Sequence, residues 1–460
     1  MAGPTCSTIF ALSSGSLPAA IAVVRISGPL AGTALEAMIG RLPAPRQATL
    51  AKVRHPGSGD VIDEAVALWF PGPKSETGED VAELQLHGGR AVVAAVLRAL
   101  GELEGLRLAE PGEFTRRAFE HDRIDLTQVE ALADLIYAET EAQRRQAFQQ
   151  LRGLLANRAE RWRQKVIDAL ALVETGIDFA DEGDVPKDLV SEAMTIVRPL
   201  EQEITQALEG ADRGERLRDG LWVVIAGPPN AGKSTLLNTL ARREAAIVSP
   251  YPGTTRDVIE IHLDFGGYPI NLIDTAGIRA ASDDPIEREG IRRARKEAAH
   301  ADLVLWLVDA AEDDRLRLMA GEAGTDSPLL GRWIVVNKID LLDQIGRRHL
   351  EASLGKQNNV HWVSAVTGEG LDHLKAAIIR LAEQSFSLEP ALVTRERQRA
   401  LLQEVANALA AALGRADERA GEELVAEHLR MALVGLGKLT GRVDVEEILD
   451  VIFRDFCIGK

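Results

Sequence analysis

The chain has 460 residues, and at roughly 150 residues per domain that length suggests about three domains rather than one core. Hydrophobic residues make up 46% and charged residues 27%, a balance too apolar for a disordered chain and sufficient to bury substantial cores. Lys and Arg total 53 against 70 Asp and Glu, so the net charge of -17 excludes a generally basic protein that coats nucleic acid; any RNA contact must be a local patch.

From residue 21 to about 117 the texture is short and strand-like, with IAVVRI at 21–26, AVALWF at 65–70 and VAELQL at 81–86 separated by stretches containing Gly and Pro. Short strands with interspersed helices predict a small α+β domain. Around Asp125 the pattern changes: Leu126, Val129, Leu132, Ile136, Leu151, Leu155, Trp162, Val166 and Leu170 recur at helical spacing, which predicts long helices. Helix continues over 189–211, and the charged run DRGERLRDG at 212–220 reads as a hinge. Near-continuous apolar runs then appear at 221–226, 271–274, 303–308 and 333–336, as parallel strands covered on both faces require. After about residue 385 the helical texture returns, over 401–413, 424–433 and 445–453. By pattern alone, an α/β domain inserted into one helical domain and an α/β domain between two separate helical domains are equally compatible with this order. The two cysteines, Cys6 and Cys457, stand at opposite ends, so a disulfide framework and a Cys-based zinc site of the usual spacing are excluded, and a reducing cytoplasm fits. The first 16 residues lack the basic region of a secretory signal, and no apolar run approaches the ~18 residues of a membrane helix. The chain is therefore expected to be soluble, cytoplasmic and unprocessed. Aromatics at 4% leave few platforms for stacking on single-stranded bases.

The strongest motif is GPPNAGKS at 227–234, which matches G-x-x-x-x-G-K-[ST] and sits between an apolar strand and a helical segment. In that context backbone N–H groups and a helix N-terminus surround phosphates, Lys233 reaches the β and γ oxygens, and the Ser234 hydroxyl binds Mg²⁺. Four more elements follow in order. GTTRD at 253–257 offers Thr255 to Mg²⁺ and the γ-phosphate. DTAG at 274–277 ends a strand, so that Asp274 can hold the metal through water and the Gly277 amide can meet the γ-phosphate. NKID at 337–340 ends another, and the Asp340 carboxylate can accept two N–H bonds from a guanine edge, which selects GTP. Ser364 and Ala365, after HWV at 361–363, supply a backbone contact to the guanine oxygen. The set resembles the translation-factor class of GTPases. It implies nucleotide contacts from Asn230, Ala231, Gly232, Lys233, Ser234, Thr235, Ser249, Thr254, Thr255, Asp274, Thr275, Ala276, Gly277, Asn337, Lys338, Asp340, Ser364 and Ala365. Ras-like GTPases place a glutamine after the D-x-x-G motif to orient water; here that position is Ile278. Asn230, with SPYPGT at 249–254, resembles GTPases that hold a potassium ion beside the phosphates, which assigns Asn230, Ser249, Tyr251 and Thr254 to K⁺. Glu287, in IEREGI at 286–291, is the candidate for orienting the water; Asp283 and Glu289 lie close by in sequence.

The ends of the chain complete a wider resemblance. VRISG at 24–28, GEDVAE at 78–83, LHGG at 86–89, PGEFT at 111–115 and the closing CIGK at 457–460, around an inserted potassium-type GTPase, resemble the MnmE (TrmE) family of bacterial tRNA-modification GTPases over essentially the whole chain. The resemblance implies a multidomain α/β architecture: an α+β folate-binding-like and dimerisation domain at 1–121, an all-α helical domain at 122–216 and 383–460, and a P-loop GTPase domain with a doubly wound sheet at 217–382 inserted in it. It also implies a homodimer working with the flavoprotein MnmG to place a carboxymethylaminomethyl-type group on carbon 5 of the wobble uridine of certain tRNAs. A tetrahydrofolate derivative, such as 5-formyltetrahydrofolate, supplies the one-carbon unit. Meeting of the two GTPase domains accelerates hydrolysis, and no membrane is involved. The family's folate contacts fall on Arg25, Glu83, Arg123 and Lys460; position 123 is usually lysine there, so Arg123 keeps the charge and changes the donor geometry. Two other departures are the loop SSGSLPAA at 13–20, which lacks the arginine of many relatives, and one extra residue before Glu287. Cys457 carries two readings, a thiol acting as nucleophile or acid/base in uridine chemistry and a small side chain packing the terminus. A ribosome-assembly or RNA-binding GTPase switch without modification chemistry is the alternative function. Local basic patches for RNA are Arg144 with Arg145, residues 158–165 and residues 395–399.

Overall fold

The structure, a computed structural model, describes residues 7–178, 188–228, 230–243, 259–274, 301–311, 332–354, 359–386, 391–418, 421–443, 449, 452–453, 456 and 458–459. Their elements, in chain order, begin with β1 (Thr8–Leu12), β2 (Ile21–Ser27), α1 (Ala31–Ile39), β3 (Thr49–Arg54), β4 (Val61–Phe70), β5 (Val81–His87), α2 (Arg90–Gly101), β6 (Leu106–Leu108) and α3 (Glu113–Glu120). Five helices follow: α4 (Leu126–Tyr137), α5 (Glu141–Leu151), α6 (Leu154–Asp178), α7 (Leu189–Glu209) and α8 (Ala211–Asp219). The α/β segment comprises β7 (Leu221–Ala226), α9 (Lys233–Arg243), β8 (Ile259–Phe265), β9 (Tyr268–Asp274), β10 (Leu303–Asp309), β11 (Arg332–Asn337), α10 (Gln344–Leu354), β12 (Val360–Trp362) and α11 (Leu371–Ser385). The long helices α12 (Glu396–Glu418) and α13 (Glu422–Thr440) come last. The described residues fall into two compact units, one drawn from Met1–Ala133, Gln150–Glu201 and Glu404–Lys460, the other from Asp134–Gln149 and Gln202–Gln403.

In the first unit, six strands form a mixed sheet in the order β3-β4-β5-β2-β1-β6, antiparallel except for the parallel pair β1 and β6. Alternation along β2 sends Val24 and Ile26 into a core with Leu35 and Met38 of α1 and Val96 and Leu100 of α2. Each such fully buried aliphatic side chain is worth about 1.5–3 kcal/mol. The opposite face carries Arg25 of β2 beside its cross-strand partner Glu83 of β5. On that face Ile9 and Ala11 of β1 pack under Phe114 of α3. The helices α6 and α13 pack along one another, and Trp162 of α6 is fully buried. The strands read from sequence at 21–26, 65–70 and 81–86 are present, each slightly longer; β1, β3 and β6 are additions.

The second unit is built on a six-stranded sheet in the order β12-β11-β10-β7-β9-β8. β7, β9, β10, β11 and β12 are mutually parallel, and β8 pairs antiparallel with β9 as a hairpin on the edge. Apolar side chains leave both faces: Val223, Ile225, Leu305 and Leu307 meet α9 and α11, whereas Val308, Ile334 and Val336 pack with Leu350 of α10. This is the doubly wound arrangement that the four apolar runs predict. One expectation is corrected. Residues 212–220 do not form a hinge, because 211–219 fold into α8, closed by a bond from the Gly220 N–H to the Arg216 carbonyl at 2.8 Å. The glycine inside it serves a close approach. Gly214 lies so near the Val393 carbonyl that a Cβ would collide, while its own carbonyl accepts from Gln146 Nε2 at 3.1 Å.

Candidate functional site

The glycine-rich loop leaves the C-terminal end of β7, and α9 starts at Lys233. Two of its glycines are dictated by space. Gly227 (φ 144°) runs against the Leu307 carbonyl of β10, and Gly232 (φ 95°) against the Asn337 amide, and a Cβ at either position would collide. Asn230 takes a left-handed conformation (φ 62°), which an asparagine tolerates better than most residues. Lys233 Nζ donates to the carbonyls of Gly227 at 3.0 Å and Pro228 at 2.9 Å, so its ammonium lies across the loop. Ser234 and Thr235 are exposed on the first turn of α9, where the N–H groups have no acceptor within the helix and the helix dipole favours an anion.

Asn337 ties this loop to two others. Its side chain is 1% exposed; Nδ2 donates to the Ala231 carbonyl at 2.7 Å, and Oδ1 accepts from the Ala365 N–H at 2.9 Å. Thr239 of α9 donates to the Ala365 carbonyl at 2.8 Å, a second tie between helix and loop. Ser364 is fully buried, and its Oγ accepts from the Thr367 N–H at 3.1 Å. Lys338 is left-handed (φ 66°), Ile339 is buried, and Asp340 is exposed. The structure thus gathers Asn230, Ala231, Gly232, Lys233, Ser234, Thr235, Asn337, Lys338, Asp340, Ser364 and Ala365 at the C-terminal ends of β7, β11 and β12, where doubly wound sheets bind ligands. Asp274 is the last residue of β9, on the same edge. Ser249, Tyr251, Thr254, Thr255, Thr275, Ala276, Gly277, Ile278 and Glu287 lie outside the described residues.

The second cluster lies on the outer face of the mixed sheet. Arg25 donates through Nε to Glu83 Oε1 at 3.0 Å, pairs through Nη1 with Glu76 at 2.7 Å, and sits 5.9 Å from the Phe114 ring centroid. Beside it runs a network that the sequence did not announce. Arg117 bridges Glu79 at 3.0 Å and Glu113 at 2.9 Å, Arg107 donates to Glu113 at 2.8 Å, and Ser27 Oγ donates to Glu79 at 2.8 Å. Burial would raise the Glu113 carboxyl, but bonds from Arg107, the Glu110 N–H and Arg117 outweigh it and hold the group below the usual carboxylate range. Its only sequence signal is the four-residue spacing of Glu113 and Arg117 in a short helix. Arg123 is exposed in the turn after α3. At the other end of the chain, Ile458 bridges to Pro111, and Gly459 packs against the backbone of Leu12 and Ser13. Leu12 adjoins Ala11, the cross-strand partner of Arg25, so the chain end arrives beside the Arg25 strand pair. Cys457 and Lys460 lie outside the described residues.

Five of the arginines read as basic patches have acidic partners. Glu141 holds both Arg144 and Arg145 at 2.7 Å, and the two guanidinium bonds pull its carboxyl down to about 2. Arg163 pairs with Glu160, Arg395 with Asp134, and Arg399 with Asp212 and Glu215.

Two family models match the chain: "MnmE helical domain" over residues 126–457 and "GTP-binding protein TrmE N-terminus" over residues 8–123. The chain belongs to the MnmE family. Named relatives agree over full length. The tRNA modification GTPase MnmE of Bradyrhizobium sp. (strain BTAi1) is 56% identical over 458 residues, 99% of this chain and 100% of that protein. That of Rhodopseudomonas palustris (strain BisB18) is 54% identical over 461 residues, covering 98% and 99%. Among solved structures, the G domain of the T. maritima FeoB iron transporter is 30% identical over 35% of this chain and 99% of that chain, with a TM-score of 0.25.

Proposed function

We propose that this member of the MnmE family is a potassium-activated GTPase. With the flavoprotein MnmG, it adds a carboxymethylaminomethyl-type group to carbon 5 of the wobble uridine of certain tRNAs, using a tetrahydrofolate one-carbon unit. The observation that carries the nucleotide reading is Asn337. One buried amide fixes the phosphate loop on one side and the Ser364–Ala365 loop on the other, and Asp340, three residues further on, is exposed. Loops held together in this way suit a base whose edge offers two donors, with its phosphates on the glycine-rich loop.

Each residue then has a task. The N–H groups of the loop and of the first turn of α9 receive the phosphate oxygens, and Lys233 exchanges its loop carbonyls for them. The exposed hydroxyl of Ser234, with Thr255, fits the hard oxygen ligation of Mg²⁺, which supplies charge stabilisation when bound. Asp340 accepts from the guanine edge, Asn230 with Ser249, Tyr251 and Thr254 holds K⁺, and Glu287 orients the attacking water. Two copies of the chain form a homodimer through the N-terminal domain, and hydrolysis accelerates when their GTPase domains meet. On the outer sheet face, Arg25 and Glu83, with Arg123 and Lys460, bind the folate. The preformed Arg25–Glu83 pair offers both donors and an acceptor to its pterin edge. Cys457 enters this reading as a thiol beside the folate site.

Two titrations test the reading. GTP turnover by the purified chain should be faster in KCl than in NaCl, and equal rates contradict potassium activation. Calorimetric titration with 5-formyltetrahydrofolate should give saturable binding that Arg25→Ala removes. Absence of binding to the intact chain returns the protein to the class of GTPase switches without modification chemistry.

A further inference from the structure

Asp309 has no role in the nucleotide reading, yet it makes a short charged contact with Lys338 of the NKID turn. It is the last residue of β10, level with Asn337 in the parallel ladder of β10 and β11, and the Ala310 N–H donates to the Asn337 carbonyl at 2.9 Å. Its Oδ1 accepts from the Ala311 N–H at 3.0 Å, which turns Oδ2 toward Lys338, whose Nζ lies 2.6 Å away. The pair is partly covered, with 30% of the Lys338 side chain and 17% of the Asp309 side chain exposed.

Resting on the GTPase reading, we propose that Asp309 is a positioning residue for guanine recognition: it anchors the Lys338 ammonium so that the lysine stem is held as a wall for the base. Ile339 is buried, whereas Lys338 and Asp340 on either side of it reach solvent, so the two polar side chains of the turn are the ones available to a ligand. A purine whose edge meets the Asp340 carboxylate then turns a face to the Lys338 methylenes. A lysine stem free at its tip loses several rotors when a ligand packs against it. Tethered at its tip by a carboxylate that is itself fixed by a backbone N–H, the stem is ordered beforehand, and binding is spared that loss. The anchor also keeps the ammonium away from the Asp340 carboxylate, which stays available to the base edge. Asp309 acts through Lys338 and touches no ligand itself.

A double-mutant cycle on the full-length chain tests this, with equilibrium binding of GDP carrying a methylanthraniloyl fluorophore on its ribose as the readout. Immobilising one long side chain is worth about a two- to tenfold change in affinity, so Asp309→Ala should weaken binding by about that factor. Lys338→Ala should weaken it at least as much, and the double variant should match Lys338→Ala alone, because the anchor has nothing left to hold. Asp309→Glu, which keeps a carboxylate, should recover part of the loss and guards against a folding defect in the alanine variant. Additive losses in the double variant, or wild-type affinity in Asp309→Ala, overturn the proposal and leave the pair a strand-end ion pair. Failure of the wild-type chain to bind the probe instead overturns the GTPase reading on which it rests.

Discussion

Replacing Asn337 by alanine is the most informative perturbation of the nucleotide recess. The side chain is buried and spans two loops that are far apart in sequence, with partners 106 and 28 residues away. Alanine removes a donor from the Ala231 carbonyl and an acceptor from the Ala365 N–H. Each buried backbone group left without a partner costs about 1–3 kcal/mol, so the pair amounts to about 2–6 kcal/mol. A water admitted to the vacated space would partner the two freed groups and bring the loss to the lower half of that range. Because both loops belong to the recess, the loss falls on ligand binding as well as on folding: at about 1.4 kcal/mol per factor of ten, GDP affinity should drop more than tenfold. Asn337→Asp should be no milder, because it keeps an acceptor for Ala365 but sets a carboxylate against the Ala231 carbonyl oxygen. The assay is thermal unfolding of the full chain with and without GDP, together with fluorescence titration of labelled GDP. Nucleotide affinity within twofold of wild type, with an unchanged melting temperature, would refute the claim that Asn337 holds the two loops in register.

Three further outcomes follow from the same geometry. Gly232→Ala adds a Cβ against the Asn337 amide at a left-handed backbone, which costs about 1–3 kcal/mol; GDP titration should show weakened binding with the fold retained by circular dichroism. Arg117→Met leaves Glu79 and Glu113 without their shared cation in a largely buried network and should lower stability by about 3–5 kcal/mol, read from denaturant unfolding of the full chain. The third concerns pH. Glu113 is held below its ordinary value of 4.5, so its contribution is fully present above that value and is lost as pH falls through the lower folded-state value. Glu113→Gln should therefore be less stable than wild type at neutral pH and should show a flatter decline in acid, measured as melting temperature against pH.

The parallel strands were legible because both of their faces are covered, so β7, β10 and β11 read as unbroken apolar runs. The edge strand β8 lacks the unbroken apolar run of its covered neighbours; its signal is alternation, IEIHLDF, leading into the turn at Gly266 and Gly267. β1 is only five residues long, too short to show a period of its own even though the SSGS turn follows it, and it is defined by its partners β2 and β6. The segment 212–220 misled because glycine amid charges suggests a hinge. In the fold that glycine admits the Val393 carbonyl against a helix, a requirement set by a residue far along the chain. The same distinction governs the site. Residues that act within one motif, such as Gly232, Lys233 and Ser234, could be named from spacing. The bridges between motifs, Asn337 to Ala231 and Lys338 to Asp309, exist only after the strands are set side by side. The network of Glu79, Arg107, Glu113 and Arg117 likewise depends on the loop before β5 reaching α3 across the sheet.

The central claim is that guanine-nucleotide hydrolysis at this recess serves modification of tRNA. Mass spectrometry of wobble nucleosides from a strain lacking the gene, complemented with the wild-type chain or with Asp340→Asn, tests it most directly. The account predicts that uridines substituted at carbon 5 disappear in the deletion strain, return with the wild-type chain and stay absent with Asp340→Asn. An unchanged nucleoside profile in the deletion strain, or full recovery with Asp340→Asn, would contradict it.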